Sequence, residues 1–115
     1  MANIIIFEYN VEFRKSVQGD WQILHASGRI DVMNASKAEE TLQAELGSGR
    51  KLALEMSGLD YISSACLRVL LRTAQKAEDE GKEFVLVGAA GNVSDVLEDS
   101  GMDMLLTIYD TIEDL

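Results

Sequence analysis

The chain has little material for covalent or metal-based chemistry: its 115 residues include one cysteine, one histidine and no proline. The single cysteine, Cys66, excludes an intrachain disulfide and a cysteine-based zinc cluster. Any Ser-His-Asp or Cys-His catalytic set would need the lone histidine, His25, which we interpret as a sheet residue. With no proline and no low-complexity tract, no segment is typical of an interdomain linker. We therefore predict one domain, residues 1–115, that has no catalytic residue, cofactor or metal.

Basic residues are also scarce, because 10 lysines and arginines face 20 aspartates and glutamates, which gives a formal net charge of −10. Nucleic acids and anionic membrane surfaces both require clustered positive charge, so partners of these two kinds are disfavoured. The acidic balance favours solubility and a protein partner with a basic patch, although many soluble proteins are simply acidic. No run approaches transmembrane length, and residues 4–7 are too few for a signal sequence. One free thiol suits a reducing compartment, so we expect a cytoplasmic protein without membrane insertion.

Apolar residues make up 47% of the chain, and their spacing changes along it. Residues 11–16 and 21–26 have the alternation of strands and flank a turn at Gly19-Asp20, which predicts an N-terminal hairpin. Helical spacing then alternates with apolar runs at residues 52–56, 84–87 and 105–109, and this order predicts right-handed βαβ units. The predicted fold class is α/β, with helices packed on a mixed, mostly parallel sheet.

Residues 1–10 precede this pattern and allow three interpretations. Residues 4–7 are apolar and β-branched or aromatic, so they favour a strand. The segment is either an added edge strand, a disordered arm or part of a self-association surface, and a homo-oligomer is therefore left open.

Residues 51–80 have the most specific pattern in the chain. The apolar run at residues 52–56 is followed by Ser57-Gly58, which we interpret as the end of a strand. Ser63 and Ser64 lie where helical spacing begins, and either hydroxyl could cap the helix. We interpret Cys66 as a small buried residue in preference to a reactive thiol at the helix start. The predicted buried stripe of this helix consists of Leu67, Leu70, Leu71, Ala74 and Ala77.

The same stretch resembles the signature of STAS domains, the family of anti-sigma factor antagonists. Residues 54–71 read Leu-Glu-Met-Ser-Gly-Leu-Asp-Tyr-Ile-Ser-Ser-Ala-Cys-Leu-Arg-Val-Leu-Leu. Members of the family typically have Asp-Leu-Ser-Gly-Val followed by Phe-Ile-Asp-Ser-Ser-Gly-Leu-Gly-Val-Leu. Residues 28–31, Gly-Arg-Ile-Asp, resemble the family's Gly-Glu-Leu-Asp. The resemblance extends from residue 11 to the C-terminus and implies the STAS fold, which agrees with the layout that the spacing predicts.

The resemblance implies a non-enzymatic regulator that binds an anti-sigma factor, a serine-kinase-like protein, and frees a sigma factor by partner switching. ATP would then belong to the partner. Asp31 and Asp60 are expected in loops at the carboxyl ends of strands, the usual place for a site in an α/β sheet. The alternative is a STAS module of a transport or signalling assembly that is not phosphorylated, and an enzyme is the third hypothesis. The implied partner-binding residues are Asp31, Leu59, Asp60, Tyr61, Ser63, Ser64, Ala65 and Arg68.

The implied phosphorylation site is displaced by one residue in this chain. The family's usual phosphoacceptor is the second serine of Asp-Ser-Ser-Gly, and an alignment on Ile62 and Leu67 places Ala65 there. Alanine has no hydroxyl, so the phosphoacceptor candidate is Ser64, with Ser63 in reserve. From the residues alone, Ser64 is a helix cap that contributes about 1 kcal/mol to stability.

Overall fold

A single mixed sheet organises the computed structural model, which describes residues 3–8 and 10–115. Its six strands follow one another in chain order: β1 (Asn3–Glu8), β2 (Val11–Gln18), β3 (Trp21–Ile30), β4 (Lys51–Ile62), β5 (Glu83–Val87) and β6 (Ile108–Tyr109). β1, β2 and β3 pair antiparallel, whereas β3 to β6 pair parallel. The parallel crossovers contain α1 (Ala35–Gly47), α2 (Ser64–Asp79) and α3 (Gly91–Asp99). The predicted α/β class, N-terminal hairpin and βαβ order are therefore confirmed.

The N-terminal segment contributes β1, which forms an edge of the sheet and pairs with β2. Of the three interpretations of residues 1–10, the added strand therefore describes residues 3–8. Residues 1, 2 and 9 of that segment lie outside the described residues.

The main core lies between the helices and one face of the sheet. The buried face of α1 consists of the four residues that its spacing predicts: Ala35, Ala38, Leu42 and Leu46. In α2, Leu70 is fully buried, as predicted, but the most buried face is shifted from the predicted stripe. Cys66, Val69 and Thr73 are buried, whereas Leu67, Leu71 and Ala74 are partly buried at the margin of the core. The shift occurs because α2 packs against α1 as well as against the sheet.

The opposite face of the sheet carries a second apolar cluster. It contains Trp21, Ile23, Ala53, Val85 and Val87. The C-terminal segment covers it with Tyr109, Ile112 and Leu115, which explains why β3, β4 and β5 have apolar side chains on both faces. No helix in the described part of the chain is long and apolar enough to cross a membrane.

The strands that carry the family signature are longer than the sequence predicts. Ser57-Gly58 does not end a strand, because β4 continues to Ile62 with register shifts against β3. A side chain at Gly58 would lie 2.8 Å from the Cβ of Ser27, so glycine permits this close approach. Residues 28–30 belong to β3, and Asp31 follows the strand, as expected. Asp60, in contrast, lies within β4 and not in a loop.

Only part of the apolar run at residues 105–109 forms a strand. The last strand contains only Ile108–Tyr109, which pair with Leu86 and Val87 of β5, while Leu105 is 65% exposed. A final helical turn, Ile112–Asp114, follows it and is capped by Thr111.

Candidate functional site

The candidate site is built where the parallel strands β3 and β4 end. The main-chain N–H of Ser63 donates to the carbonyl oxygen of Ile30 at 3.0 Å, which fixes the last residue of β3 beside the start of α2. Ser63 is the N-cap of α2, and its Oγ accepts from the main-chain N–H of Cys66 at 3.3 Å. Its side chain is therefore committed to the helix start.

Ser64 is the first residue of α2, and its side chain is exposed. Of the two serines that could cap α2, Ser63 is the cap, and the interpretation of Ser64 as a cap is wrong. Within the described residues, the Ser64 hydroxyl has no hydrogen-bond partner. Arg68 lies one turn further along the helix and is also exposed, while Ala65 is partly buried against the core.

The turn after β3 is held by a buried asparagine. Asn34 Oδ1 accepts from the main-chain N–H of Asp31 at 2.9 Å, and Asn34 Nδ2 donates to the carbonyl oxygen of Arg29 at 2.9 Å. Asn34 occupies the N-cap position of α1, but its side chain turns back to this loop and does not cap the helix. The tight turn leaves two apolar side chains in solvent, Val32 at 78% and Met33 at 72% exposure.

A charged and aromatic contact borders the turn. Arg29 Nε lies 3.0 Å from Asp31 Oδ2, and the Arg29 guanidinium carbon lies 5.1 Å from the centroid of the Tyr61 ring. The pairing of Arg29 with Tyr61 in the parallel register of β3 and β4 produces this stacking. Asp60 is exposed beside Tyr61, and its carbonyl oxygen accepts from Asn92 Nδ2 at 3.4 Å. A cavity of about 530 Å³ opens here, lined in part by Glu12, Arg29, Asp60 and Tyr61.

The structure thus brings most of the predicted partner-binding residues to one end of the sheet. Leu59 is the exception, because it is only 6% exposed and belongs to the main core. Arg29, Val32 and Met33 also lie on this surface, although the sequence did not predict them as site residues. The motif at residues 28–31 is visible in the sequence, but the exposure of a side chain is not. We call the group the Ser64 surface: Arg29, Asp31, Val32, Met33, Asp60, Tyr61, Ser64, Ala65 and Arg68.

Cys66 lies under the Ser64 surface, where it packs into the core. It is 1% exposed, and burial raises the pKa of its thiol from 9.0 to about 12. Burial disfavours the thiolate because a charge in an apolar environment loses its hydration. The interpretation of Cys66 as a small buried residue is therefore confirmed, and the reactive thiol is not supported.

A second polar cluster crosses β2, β3 and β4 on the face opposite the helices. Ser16 Oγ lies 2.7 Å from His25 Nε2, and His25 Nδ1 lies 3.6 Å from Glu55 Oε1. The order serine, histidine, carboxylate is that of a hydrolytic triad, but such a site also needs N–H donors aimed at an oxyanion. Ser16 lies inside β2, opposite Ile23 in the ladder, so its neighbouring main-chain groups belong to the sheet. We interpret the cluster as a cross-strand contact.

In the described ranges, no group of three or more histidine, cysteine, aspartate or glutamate side chains could hold a metal ion.

Comparisons with known proteins concern the family and the fold. The model of the STAS domain family matches residues 9–115. The chain is similar to BtrV of Bordetella bronchiseptica, which is named as an anti-sigma factor antagonist. The two are 34% identical over 87 residues, and 75% of each chain is covered. It is also similar to a solved Thermotoga maritima structure assigned as an anti-sigma factor antagonist, with 28% identity, 89% of each chain covered and a TM-score of 0.81.

A solved anti-sigma factor antagonist from Mycobacterium paratuberculosis has the same fold, with 22% identity, 90% of this chain and 89% of that chain covered and a TM-score of 0.81. At this identity the likeness concerns the fold alone. The family match and the Bordetella relative together establish the family, and they agree with the resemblance of residues 54–71. The chain therefore belongs to the STAS domain family, within the anti-sigma factor antagonists.

Proposed function

We propose that this protein binds an anti-sigma factor through the Ser64 surface and thereby releases a sigma factor by partner switching. The observation that carries the proposal is the exposed Ser64 hydroxyl at the start of α2, on a surface that contains both charged and apolar groups. Val32 and Met33 would give such a partner apolar contacts, and Asp31, Asp60 and Arg68 would give it charged ones. In this proposal the chain acts in the cytoplasm, has no catalytic role and uses no cofactor.

Phosphorylation of Ser64 by the anti-sigma factor, acting as a serine kinase with its own ATP, is the proposed switch. A phosphate would add about −1.5 to −2 charge at this position. The start of a helix tolerates negative charge because its N–H groups and dipole are oriented toward it, so the fold would persist. A partner seated on the Ser64 surface would meet the new charge and lose affinity.

Ser63 is a poorer phosphoacceptor than Ser64 for a structural reason. Its Oγ already accepts from Cys66, and its side chain is partly buried. A kinase would have to remove this helix cap before it could transfer phosphate to Ser63. We therefore keep Ser64 as the candidate and Ser63 in reserve.

A second function is favoured by Ala65, which occupies the usual phosphoacceptor position of the family. A chain without that hydroxyl could serve as an unphosphorylated STAS module of a transport or signalling assembly. A kinase that needs one hydroxyl in line for transfer would lose much of its rate from a shift of one residue. The two functions differ in whether Ser64 accepts phosphate.

The test is to incubate the full chain with the anti-sigma factor of the same organism and ATP, and to map phosphate by mass spectrometry. We expect phosphate on Ser64 and none in Ser64→Ala. Ser100→Ala is the matched control, because it removes another exposed serine at the far end of α3. This variant should still accept phosphate on Ser64. If the two proteins bind and neither Ser63 nor Ser64 is phosphorylated, the switch is wrong and the second function holds. If they do not bind, the antagonist function itself is contradicted.

A further inference from the structure

β1 leaves one side of the sheet open for pairing. It pairs with β2 on its inner side, and in the described part of the chain no strand lies on its outer side. The main-chain N–H and C=O groups along a free edge can pair with another strand. Proteins usually block such an edge with lysine, proline, a β-bulge or a covering segment.

The sequence of β1 contains few of these protective features. Residues 4–7 are Ile-Ile-Ile-Phe, and the strand has neither lysine nor proline. The register shift between Ile4 and Ile6 is the one such feature in β1, and it places no charge on the edge. The family model begins at residue 9, so β1 is an addition to the part of the chain that the family shares.

The opposite edge of the sheet cannot receive β1 over its length. β6 contains only two residues, Ile108–Tyr109. A head-to-tail contact between β1 of one copy and β6 of the next would therefore form few main-chain hydrogen bonds. A contact between two β1 strands uses the same surface on both copies and closes as a two-fold dimer.

We propose that β1 pairs with β1 of a second copy of this chain, antiparallel, and joins the two sheets into one. In such a pairing centred on Ile6, Ile6 lies opposite its own copy and Ile5 opposite Phe7, while Ile4 lies opposite Glu8. Glu8 is the only charged residue of β1, and the two copies of Glu8 lie at opposite ends, about 14 Å apart along the strands at a rise of about 3.4 Å per residue. β1 can therefore pair with an antiparallel copy of itself without bringing the two Glu8 carboxylates together.

The dimer leaves the Ser64 surface free. β4, which leads into that surface, is the third strand from β1 across the sheet, at a distance of about 14 Å for a spacing of about 4.8 Å. Each copy would therefore keep its own partner site, and the dimer would present two of them. The inference is independent of the proposed function.

The test is the mass of the full chain in solution, measured by light scattering during size-exclusion chromatography. We expect wild-type protein at twice the chain mass of 12.6 kDa, and Ile5→Lys at 12.6 kDa. The matched control is Val17→Lys, which adds the same charge to a 68% exposed position on β2 and should remain dimeric. Circular dichroism should show that both variants are folded.

Salt provides a second readout. Each copy has a net charge of −10, so two copies repel, and added salt screens that repulsion. We expect the dimer fraction to rise with sodium chloride, because the contact itself is apolar and main-chain. Wild-type protein at 12.6 kDa over the whole concentration and salt range would overturn the inference. Equal loss of the dimer in Ile5→Lys and Val17→Lys would overturn it as well.

Discussion

The main-chain N–H of Ser63 donates to the carbonyl oxygen of Ile30 at 3.0 Å, so the end of β4 is joined directly to the end of β3. This hydrogen bond places the start of α2 beside the turn that contains Asp31. The two adjacent serines differ in their side chains, because that of Ser63 caps α2 while that of Ser64 is exposed. The proposed switch depends on this difference.

The two serines should differ in their effect on stability. Ser63→Ala removes the Oγ that accepts from Cys66 N–H and should lower the free energy of unfolding by about 1 kcal/mol. Ser64→Ala removes no hydrogen bond between described residues and should change it by less than about 0.5 kcal/mol. Urea unfolding of the two variants measures the difference. Equal losses would mean that Ser64 contributes to the cap and is less available for phosphorylation.

Leu70 should be among the most sensitive positions in the core. It is 0% exposed in α2, so Leu70→Ala should lower the free energy of unfolding by about 2–5 kcal/mol through lost burial and a residual cavity. Leu105→Ala is the matched control, because Leu105 is 65% exposed and its truncation should cost less than about 0.5 kcal/mol. Similar denaturation midpoints for the two variants would contradict the packing of α2 on the sheet.

Gly28 should not tolerate a side chain. Its φ is +98°, and a Cβ there would lie 2.2 Å from the carbonyl oxygen of Asn10, which accepts from Arg29 N–H at 3.0 Å. Gly28→Ala should therefore destabilise the protein by about 1–3 kcal/mol and disturb the Arg29 contact with Tyr61. Gly47→Ala is the control, because nothing lies within 4 Å of a Cβ at that position. Thermal unfolding that is unchanged in Gly28→Ala would contradict the described close approach.

Cys66 should make stability depend on alkaline pH. Its pKa is raised from 9.0 to about 12 in the folded protein, so above pH 9 the unfolded chain releases a proton that the folded chain retains. Stability from this group is therefore complete below pH 9 and is lost as the pH rises toward 12. Denaturation midpoints measured from pH 8 to pH 10 should fall less steeply in Cys66→Ala. Rapid alkylation of the native thiol near pH 8 would contradict its burial.

The sequence predicts the layout well because burial on one face leaves a regular spacing. The spacing of apolar residues alone predicts the four buried residues of α1 and the hairpin around Gly19-Asp20. Glycine is a weaker signal of a strand end, because Gly28 and Gly58 lie inside strands, where they permit close contact with neighbouring segments of the chain. A local pattern cannot distinguish such a glycine from one that ends a strand.

The site was predicted in part. The family signature identifies Ser63, Ser64 and Arg68, but only tertiary structure shows that Leu59 faces the core. The exposure of Val32 and Met33 has no sequence signal either, since it results from the turn that Asn34 holds. The role of each serine depends on which residue begins α2, and sequence places helix ends only to within a few residues.

Arg68→Glu is the most direct test of the proposed partner surface. Arg68 is exposed on the first turns of α2, and its reversal should weaken binding of the anti-sigma factor at least tenfold while circular dichroism remains native. Arg50→Glu makes the same charge change at an exposed residue just before β4, at the opposite end of the sheet, and should bind as wild type does. Isothermal titration calorimetry of the three proteins against the anti-sigma factor gives the affinities. Weaker binding by Arg68→Glu alone is the predicted result, and equal affinities for all three would contradict the assignment of the Ser64 surface.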